Sequence, residues 1–294
     1  MKTRLIVNPV SGSDQAALHL PAINERLRLA FGQVDIAMTV AEGDGEQAAR
    51  RAAEDGYRVM VVVGGDGTLN EVLNGVAAAG ALDDTAFGLV AMGTGNDFAG
   101  LMDLPDDPEA AADRVIAGRE RRVDLGMLND RVFVNASAGG FIAEVSDALT
   151  PAMKTLAGRL GYIIAGAGVL TWFEPPSAEV TIGTEELHAR HYQLFAVCNG
   201  QTIGGGHRVA PRARLDDGLL DACFVEASTM PELVGLLRRM SNGEHLDDEL
   251  VTYRQFTTAE LSFDRVIKVN TDGEVRETAT CRYRILPGKA RFLA

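Results

Sequence analysis

The sequence has few of the features that mark secreted, disulfide-bonded or zinc-binding proteins. Its 294 residues include three cysteines, Cys198, Cys223 and Cys281, and no two of them form a CxxC pair. An odd number of cysteines at these spacings argues against a disulfide framework or a zinc site and fits a reducing cytoplasm. The first residues run directly into a strand-like stretch at residues 4–7, whose apolar part is too short for the core of a signal peptide.

Long apolar segments are also missing. The longest uncharged apolar run covers residues 160–173, whereas about 20 residues are needed to span a bilayer. We therefore expect a protein that is not integral to a membrane. The helix-like segment at residues 151–173 ends near the single tryptophan, Trp172. It has two interpretations: a helix packed in the core, the commoner origin of such a stripe, or a helix that touches lipid at a membrane surface.

Positive charge is scarce, because 28 Lys and Arg residues stand against 41 Asp and Glu residues, which gives a formal net charge of −13. A nucleic-acid-binding protein normally carries a basic face, so we expect no nucleic acid partner. A membrane contact must then rest on local basic or apolar features. With 46% hydrophobic and 23% charged residues, the composition is that of a folded globular protein, and the length suits two domains.

The first part of the chain alternates strand and helix signals. A continuous β-branched run at residues 59–63 is typical of a strand covered on both faces. Repeated strand–helix units predict a parallel sheet with helices on both sides, so we expect a doubly wound α/β nucleotide-binding domain over residues 1–125. The predicted strands cover residues 4–7, 34–39, 59–63 and 87–92, and the predicted helices cover residues 21–31, 46–55 and 68–79.

Beyond residue 125 the pattern changes to strands that are linked mostly by turns. We expect a second domain over residues 126–294, a mainly antiparallel β-sandwich whose extreme C-terminus returns to the first domain. Helix-like segments at residues 151–173 and 230–240 interrupt the strands. The predicted strands cover residues 131–136, 179–182, 193–199, 219–226, 260–263 and 266–270.

The strongest functional signal is the segment Gly-Gly-Asp-Gly-Thr-Leu-Asn at residues 64–70, which follows a predicted buried strand and opens a predicted helix. Glycines allow the backbone to approach a phosphate closely, and a helix N-terminus offers free N–H groups to an anion. Thr68 and Asn70 add hydrogen-bonding side chains, and Asp66 stands where it can organise a metal or the phosphate loop. The chain has no Gly-Lys-Ser/Thr triplet of a Walker loop, and Asn70 occupies the third glycine position of a dinucleotide fingerprint.

A tight turn that binds nothing is the alternative interpretation of this segment. Two further polar loops argue against it, one at residues 8–12 and one at residues 93–97, because each also follows a predicted strand of the parallel sheet. Ligands of open α/β sheets bind at the carboxyl ends of the strands. Three such loops together therefore predict a ligand site at this edge.

Two Asp-Gly turns in the second part are ambiguous when each is taken alone. Asp216-Asp217-Gly218 is typical of a solvated turn, and Asp272-Gly273 is typical of a hairpin turn. Beside a phosphate-binding domain both become candidates for chemistry, because phosphoryl transfer needs charge neutralisation and a base for the attacking hydroxyl. A carboxylate with backbone carbonyls suits magnesium.

The ordered set of motifs resembles the diacylglycerol kinase catalytic domain family, in particular the bacterial YegS-type lipid kinases, over nearly the whole chain. Gly-Gly-Asp-Gly-Thr alone is shared with NAD kinases and sphingosine kinases, whereas the full set is more specific. Its pieces are residues 7–12, residues 64–68, residues 93–99, Gly204-Gly205-Gly206 with Ala210-Pro211, residues 215–219 and Asp272-Gly273-Glu274.

The resemblance implies roles for the matched positions. Magnesium would be held by Asp217 with the carbonyls of Arg214 and Leu219. The catalytic base would be Glu274, with Asp272 beside it. The nucleotide-binding positions would be Asn8, Pro9, Ser11, Gly12, Thr39, Gly64, Gly65, Asp66, Gly67, Thr68, Leu69, Asn70 and Thr94.

The function implied is an ATP- and Mg²⁺-dependent kinase that phosphorylates a lipid hydroxyl, with a diacylglycerol-like acceptor. The sequence does not name the lipid. An NAD-kinase-like enzyme for a small molecule and a nucleotide-binding regulator without catalysis remain alternatives. The resemblance also implies a homodimer, and we expect a cytoplasmic protein that touches the inner face of the membrane transiently.

Overall fold

The computed structural model describes residues 2–12, 15–148 and 173–294, and the element labels number the described elements. The first part holds four parallel strands in the order β2-β1-β3-β4. Neighbouring residues of β3 face opposite cores, since Met60 and Val62 pack on one side and Val61 and Val63 on the other. The elements are β1 (Thr3–Val7), α1 (Gln15–Phe31), β2 (Val34–Met38), α2 (Asp44–Glu54), β3 (Val59–Gly64), α3 (Asp66–Ala78), β4 (Ala86–Ala91), α4 (Asp97–Leu101) and α5 (Pro108–Ala117).

The second part is dominated by antiparallel strands. Within the described ranges, no helix is both long and apolar enough to cross a membrane. The elements are β5 (Glu120–Leu128), β6 (Arg131–Phe133), β7 (Ala136–Gly140), α6 (Phe141–Ala148), β8 (Ser177–Ile182), β9 (Glu185–Cys198), β10 (Leu220–Glu226), α7 (Met230–Asn242), β11 (Val251–Phe256), β12 (Thr258–Thr271) and β13 (Glu274–Leu293).

Strand β13 connects the two parts. It pairs antiparallel with β12 and β5, and near its end Arg291 and Phe292 pair parallel with β4. The Phe292 ring lies 5.7 Å from Phe87 and 4.8 Å from Phe98, measured between ring centroids. The long strand therefore runs from the Asp-Gly-Glu turn into the core of the parallel sheet.

Several element boundaries differ from the sequence-based predictions. Helix α1 begins at Gln15 and contains Pro21, although we predicted a start at the proline. The two strands predicted at residues 260–263 and 266–270 are one strand, β12, with a register shift between Ser262 and Ile267. Residues 131–136 divide between β6 and β7. Helix α5 and strands β5 and β13 were not predicted, and the predicted helix at residues 151–173 lies outside the described residues apart from Phe173.

Candidate active site

The three polar loops meet at the carboxyl edge of the parallel sheet. The Asn8 Nδ2 donates to Thr68 Oγ1 at 3.3 Å, which joins the loop after β1 to the Gly-rich segment. On the other side, the Met92 amide donates to the Gly64 carbonyl at 2.9 Å. The Gly-rich segment therefore lies between the other two loops, as the parallel strand order requires.

Helix α3 begins with an uncapped N-terminus. Its N-cap residue is Gly65, in an extended conformation and without a side-chain cap, so the first amides of the helix are left for another acceptor. A Cβ on Gly65 would stand 3.0 Å from the Gly93 Cα, so glycine allows the two loops to touch. An uncapped helix start between glycine loops suits a phosphate group.

The other predicted nucleotide-binding positions fall into two groups. Thr39 is buried, and its amide donates to the Val7 carbonyl at 2.9 Å, which places it beside the end of β1. Thr94 is exposed in the loop after β4. The Leu69 side chain packs in the hydrophobic core, so only its backbone faces the loop. Pro9, Ser11 and Gly12 are partly exposed at the same edge.

Two aspartates bind the loops to each other. Asp66 accepts hydrogen bonds from the Asp97 amide at 3.1 Å and the Phe98 amide at 3.3 Å, so it caps α4. Burial and the nearby Asp97 carboxylate raise the pKa of Asp66. The buried Asp97 carboxylate in turn accepts from the amides of Gly205 and Gly206, both at 2.8 Å. The glycine run of the second part is thereby attached to the loop after β4.

Asp272 is enclosed by backbone amides. Its carboxylate accepts from Val134 at 2.7 Å, Asn135 at 3.2 Å and Ala136 at 2.8 Å, and only 8% of the residue is exposed. Burial raises the pKa of Asp272 to about 7, although the three amides work in the opposite direction. With a left-handed φ of 47° as well, Asp272 fixes the turn and offers little access to a substrate.

Glu274, two residues further on, is open to solvent. Its side chain is 24% exposed and lies on a cavity of about 210 Å³ that Asn70 of α3 also lines. The carboxylate accepts from Arg131 at 3.1 Å and from Arg276 at 2.7 Å. Of the two predicted carboxylates, that of Glu274 is the more exposed.

The Asp-Gly-Glu turn contacts the start of α3 directly. A Cβ on Gly67 would stand 3.9 Å from the Asp272 carbonyl oxygen, and a Cβ on Gly273 would stand 3.9 Å from the Gly67 Cα. Two segments more than 200 positions apart in the sequence are therefore in contact. This contact brings the candidate base to the candidate phosphate loop.

The Asp216-Asp217-Gly218 turn lies at a different place. Asp217 is exposed, with its Oδ1 accepting from the Leu219 amide at 3.1 Å, and Arg214 bonds Asp216 at 3.3 Å. Among the described residues, no hydrogen bond joins this turn to the Gly-rich segment. The structure therefore joins the predicted nucleotide positions directly to the turn of Asp272 and Glu274, whereas within the described residues it shows no direct hydrogen bond from them to the predicted metal positions.

The buried Asp124 supports this turn through hydrogen bonds, and no sequence motif indicates its role. The Asp124 carboxylate accepts from the Gly218 amide and from the Gly288 amide, both at 2.6 Å, and the residue is 3% exposed. It stands in β5 without any neighbouring motif. In the sequence it is an isolated acidic residue, and such residues are too common in strands to indicate a role.

The residues of the turn fit a magnesium ion in their donor chemistry. Asp217 offers a solvent-facing carboxylate, and Arg214 and Leu219 offer backbone carbonyls, which are the hard oxygen ligands that Mg²⁺ prefers. Within the described ranges, no three His, Cys, Asp or Glu side chains cluster as a metal site. A magnesium site at this turn would thus depend on one carboxylate.

Comparison with known proteins matches each of the two parts to a known domain family. Residues 2–128 match the diacylglycerol kinase catalytic domain, and residues 136–294 match the YegS C-terminal NAD kinase beta sandwich-like domain. The chain is 33% identical to a diacylglycerol kinase of Staphylococcus carnosus (strain TM300) over 276 residues, 93% of this chain and 88% of that protein. It is 30% identical to a diacylglycerol kinase of Bacillus subtilis (strain 168) over 275 residues, 93% of this chain and 89% of that protein.

Solved structures agree with the predicted fold class. A candidate diacylglycerol kinase from Bacillus anthracis (strain Sterne) superposes with a TM-score of 0.84 at 25% identity, covering 99% of this chain and 94% of that one. An NAD kinase from Archaeoglobus fulgidus, solved with ATP, gives a TM-score of 0.57 at 13% identity, covering 100% and 94%; this likeness concerns the fold alone. The predicted α/β domain followed by a β-sandwich is confirmed, and the chain belongs to the family in which a diacylglycerol kinase catalytic domain precedes a YegS-type C-terminal domain.

Proposed function

We propose that this protein transfers the γ-phosphate of ATP to the hydroxyl group of a lipid, with a diacylglycerol-like acceptor. The observation that carries the proposal is the contact between the Asp-Gly-Glu turn and the start of α3. It brings a reachable carboxylate to an uncapped helix N-terminus. The relatives named diacylglycerol kinase, which the chain matches over 93% of its length, support the same reaction.

ATP would place its phosphates at the amides of α3, which begin at the N-cap Gly65. The bond from Asn8 to Thr68 holds the first loop against this segment, so the phosphates would meet two loops in a fixed arrangement. Positioning of this kind supplies much of the catalysis in phosphoryl transfer, where the protein takes little part in covalent steps.

Glu274 would act as the general base. Its carboxylate would take the proton of the acceptor hydroxyl as the oxygen attacks the γ-phosphorus, and the bond from that phosphorus to the β–γ bridging oxygen would break to release ADP. The openness of Glu274 to the cavity favours it over Asp272, whose oxygens are taken up by three backbone amides. Asp272 would then position the turn.

Magnesium would be held by Asp217 and the carbonyls of Arg214 and Leu219, with Asp124 fixing the turn. When bound, the ion would supply positive charge that stabilises the turn and contributes to the electrostatic potential at the phosphates. Because no direct hydrogen bond joins this turn to the Gly-rich segment among the described residues, we assign the ion a supporting role.

The acceptor would be drawn from a membrane surface that the protein touches transiently. A cytoplasmic location, peripheral at the inner face of the membrane, and a homodimer complete the proposal. These follow from the family resemblance, and a vesicle-binding assay and the mass of the protein in solution would check them.

The test is transfer of phosphate from γ-labelled ATP in the presence of Mg²⁺. Mixed vesicles with and without diacylglycerol, a total lipid extract and soluble NAD would serve as acceptors, with mass spectrometry of the products. Label in diacylglycerol supports the proposal, and label in another lipid of the extract corrects the acceptor. Label in NAD alone would favour the NAD-kinase-like alternative, and ATP binding without transfer would favour the regulator.

A further inference from the structure

Arg131 connects the two parts of the chain through its guanidinium group. Its Nη1 donates to Glu46 Oε1 at 2.8 Å and its Nη2 lies 2.7 Å from Glu46 Oε2, so the pair is bidentate. The same Nη2 donates to Glu274 Oε2 at 3.1 Å. Glu46 belongs to α2 in the first part, and Glu274 opens β13 in the second.

The Glu46 end of this connection is itself fixed to the Gly-rich segment. Glu71 of α3 accepts from the Gly43 amide at 3.0 Å and from the Gly45 amide at 2.9 Å, which anchors the first turn of α2. A Cβ on Gly45 would meet the Glu71 carboxylate at 2.6 Å, so a side chain there would displace this carboxylate. A continuous series of contacts thus runs from α3 through α2 to Arg131 and Glu274.

Arg131 is better placed than Arg276, the other partner of Glu274, to fix the orientation of the Glu274 carboxylate. Its side chain is 15% exposed, whereas that of Arg276 is 49% exposed and comes from the same strand as Glu274. Exposed pairs are screened by solvent and contribute little, and a partner on the same strand does not relate Glu274 to the first domain. Burial by itself lowers the pKa of Arg131, but the Glu46 and Glu274 carboxylates outweigh it and raise the pKa.

We propose that Arg131 is a positioning residue that holds the Glu274 carboxylate in a fixed orientation beside the Gly-rich segment. The inference rests on the proposed role of Glu274 as base. A planar guanidinium can bind one carboxylate in a bidentate manner and still donate to a second, which fixes the direction of both.

The experiment is steady-state kinetics of Arg131→Gln with ATP and the lipid acceptor. We expect kcat to fall roughly ten- to hundredfold, the cost of a small misplacement of a catalytic group, with the KM for ATP nearly unchanged. Arg282→Gln is the matched control, since Arg282 is an arginine of β13 that pairs with Glu260 at the surface; we expect parent-like kinetics.

Two further variants separate the outcomes. Glu46→Gln cuts only the connection to α2, so a several-fold loss of kcat is expected even if Arg131→Gln does not fold. The double variant Arg131→Gln/Glu274→Gln should be no slower than Glu274→Gln alone, because Arg131 acts through that carboxylate. The inference about Arg131 is overturned if Arg131→Gln or Glu46→Gln has the kcat of the parent. It is also overturned if the double variant loses the full effect of both substitutions. Neither outcome contradicts the role of Glu274 as the base. A fully active Glu274→Gln overturns the base itself, and the inference with it.

Discussion

The two Asp-Gly turns that the sequence offers for chemistry have opposite surroundings. Asp272 is buried, and its turn touches the start of α3. Asp217 is exposed, and its turn is held from behind by the buried Asp124 of β5. Because both turns contain an Asp-Gly pair, their different burial must come from the residues that pack around each turn.

The largest effect on kcat is expected for Glu274, which directly follows the buried turn. Glu274→Gln keeps the shape of the side chain and removes the base, so kcat should fall by about 10²–10⁴, the usual contribution of general acid–base catalysis. ATP affinity should hardly change, because the base acts on the acceptor hydroxyl. Turnover and calorimetric ATP titration measure the two quantities separately.

The companion variant, Asp272→Asn, is expected to act first on stability. An amide nitrogen in place of one carboxylate oxygen would face backbone donors from Val134 or Ala136, and a buried group left unsatisfied costs about 1–3 kcal/mol. Urea unfolding measures this loss. If Asp272→Asn abolishes turnover without loss of stability while Glu274→Gln is nearly normal, the base is Asp272.

The buried turn should also contribute a pH dependence to stability. The pKa of Asp272 is raised to about 7 in the folded chain, above roughly 3.9 in an unfolded chain. A raised pKa means that the folded state binds the proton more strongly, so this contribution is complete below about pH 4 and is lost as the pH rises through about 7. Between these limits, the free energy of unfolding should decline less steeply in Asp272→Asn than in the parent.

The exposed turn should respond through metal and not through the fold. We expect Asp217→Ala to raise the Mg²⁺ concentration for half-maximal activity by at least roughly ten- to hundredfold, the range found even for partners of metal ligands. Asp216→Ala, one residue away and also exposed, is the matched control. Equal, normal metal dependence in both variants would reduce the turn to a structural one.

The smallest effect is expected where only one hydrogen bond is lost. Thr68→Ala removes the acceptor of the Asn8 amide and a hydroxyl at the phosphate loop, which should weaken ATP binding by about 0.5–1.5 kcal/mol, roughly two- to twelvefold. Gly65→Ala should weaken it further, because the new Cβ presses on Gly93. Calorimetry against Thr184→Ala, an exposed hairpin residue, would detect the difference, and unchanged affinity in both loop variants would remove this loop from the nucleotide site.

The sequence predicts well what local patterns determine. The parallel sheet is predicted from buried runs such as residues 59–63. The edge at which the polar loops meet is predicted from the glycine-containing segments that follow the strands. Strand β13 was not predicted, although buried Cys281 and Tyr283 alternate with exposed Arg282 and Arg284. Its many charged residues and its proline obscure this period of two. That signal was present in the sequence.

The remaining parts of the site carried no local signal. Asp124 and Arg131 act on segments that are far away in the sequence, such as Gly218, Gly288 and Glu274. A lone charged residue in a strand does not reveal its partner, because the partner is set by the packing of two domains. For the same reason, the support of the Asp217 turn by Asp124 could not be predicted from motifs.

The pairing of β13 with β4 has a consequence for how the chain folds. Phe87 pairs with Phe292, 205 positions later, so one edge of β4 stays open during synthesis until most of the second domain has been made. Contacts of such sequence separation form late, because the loop must close before they contribute. The nucleotide-binding half is thus a poor candidate for an autonomous early folding unit, and an unfinished chain presents an apolar strand edge of the kind that chaperones protect.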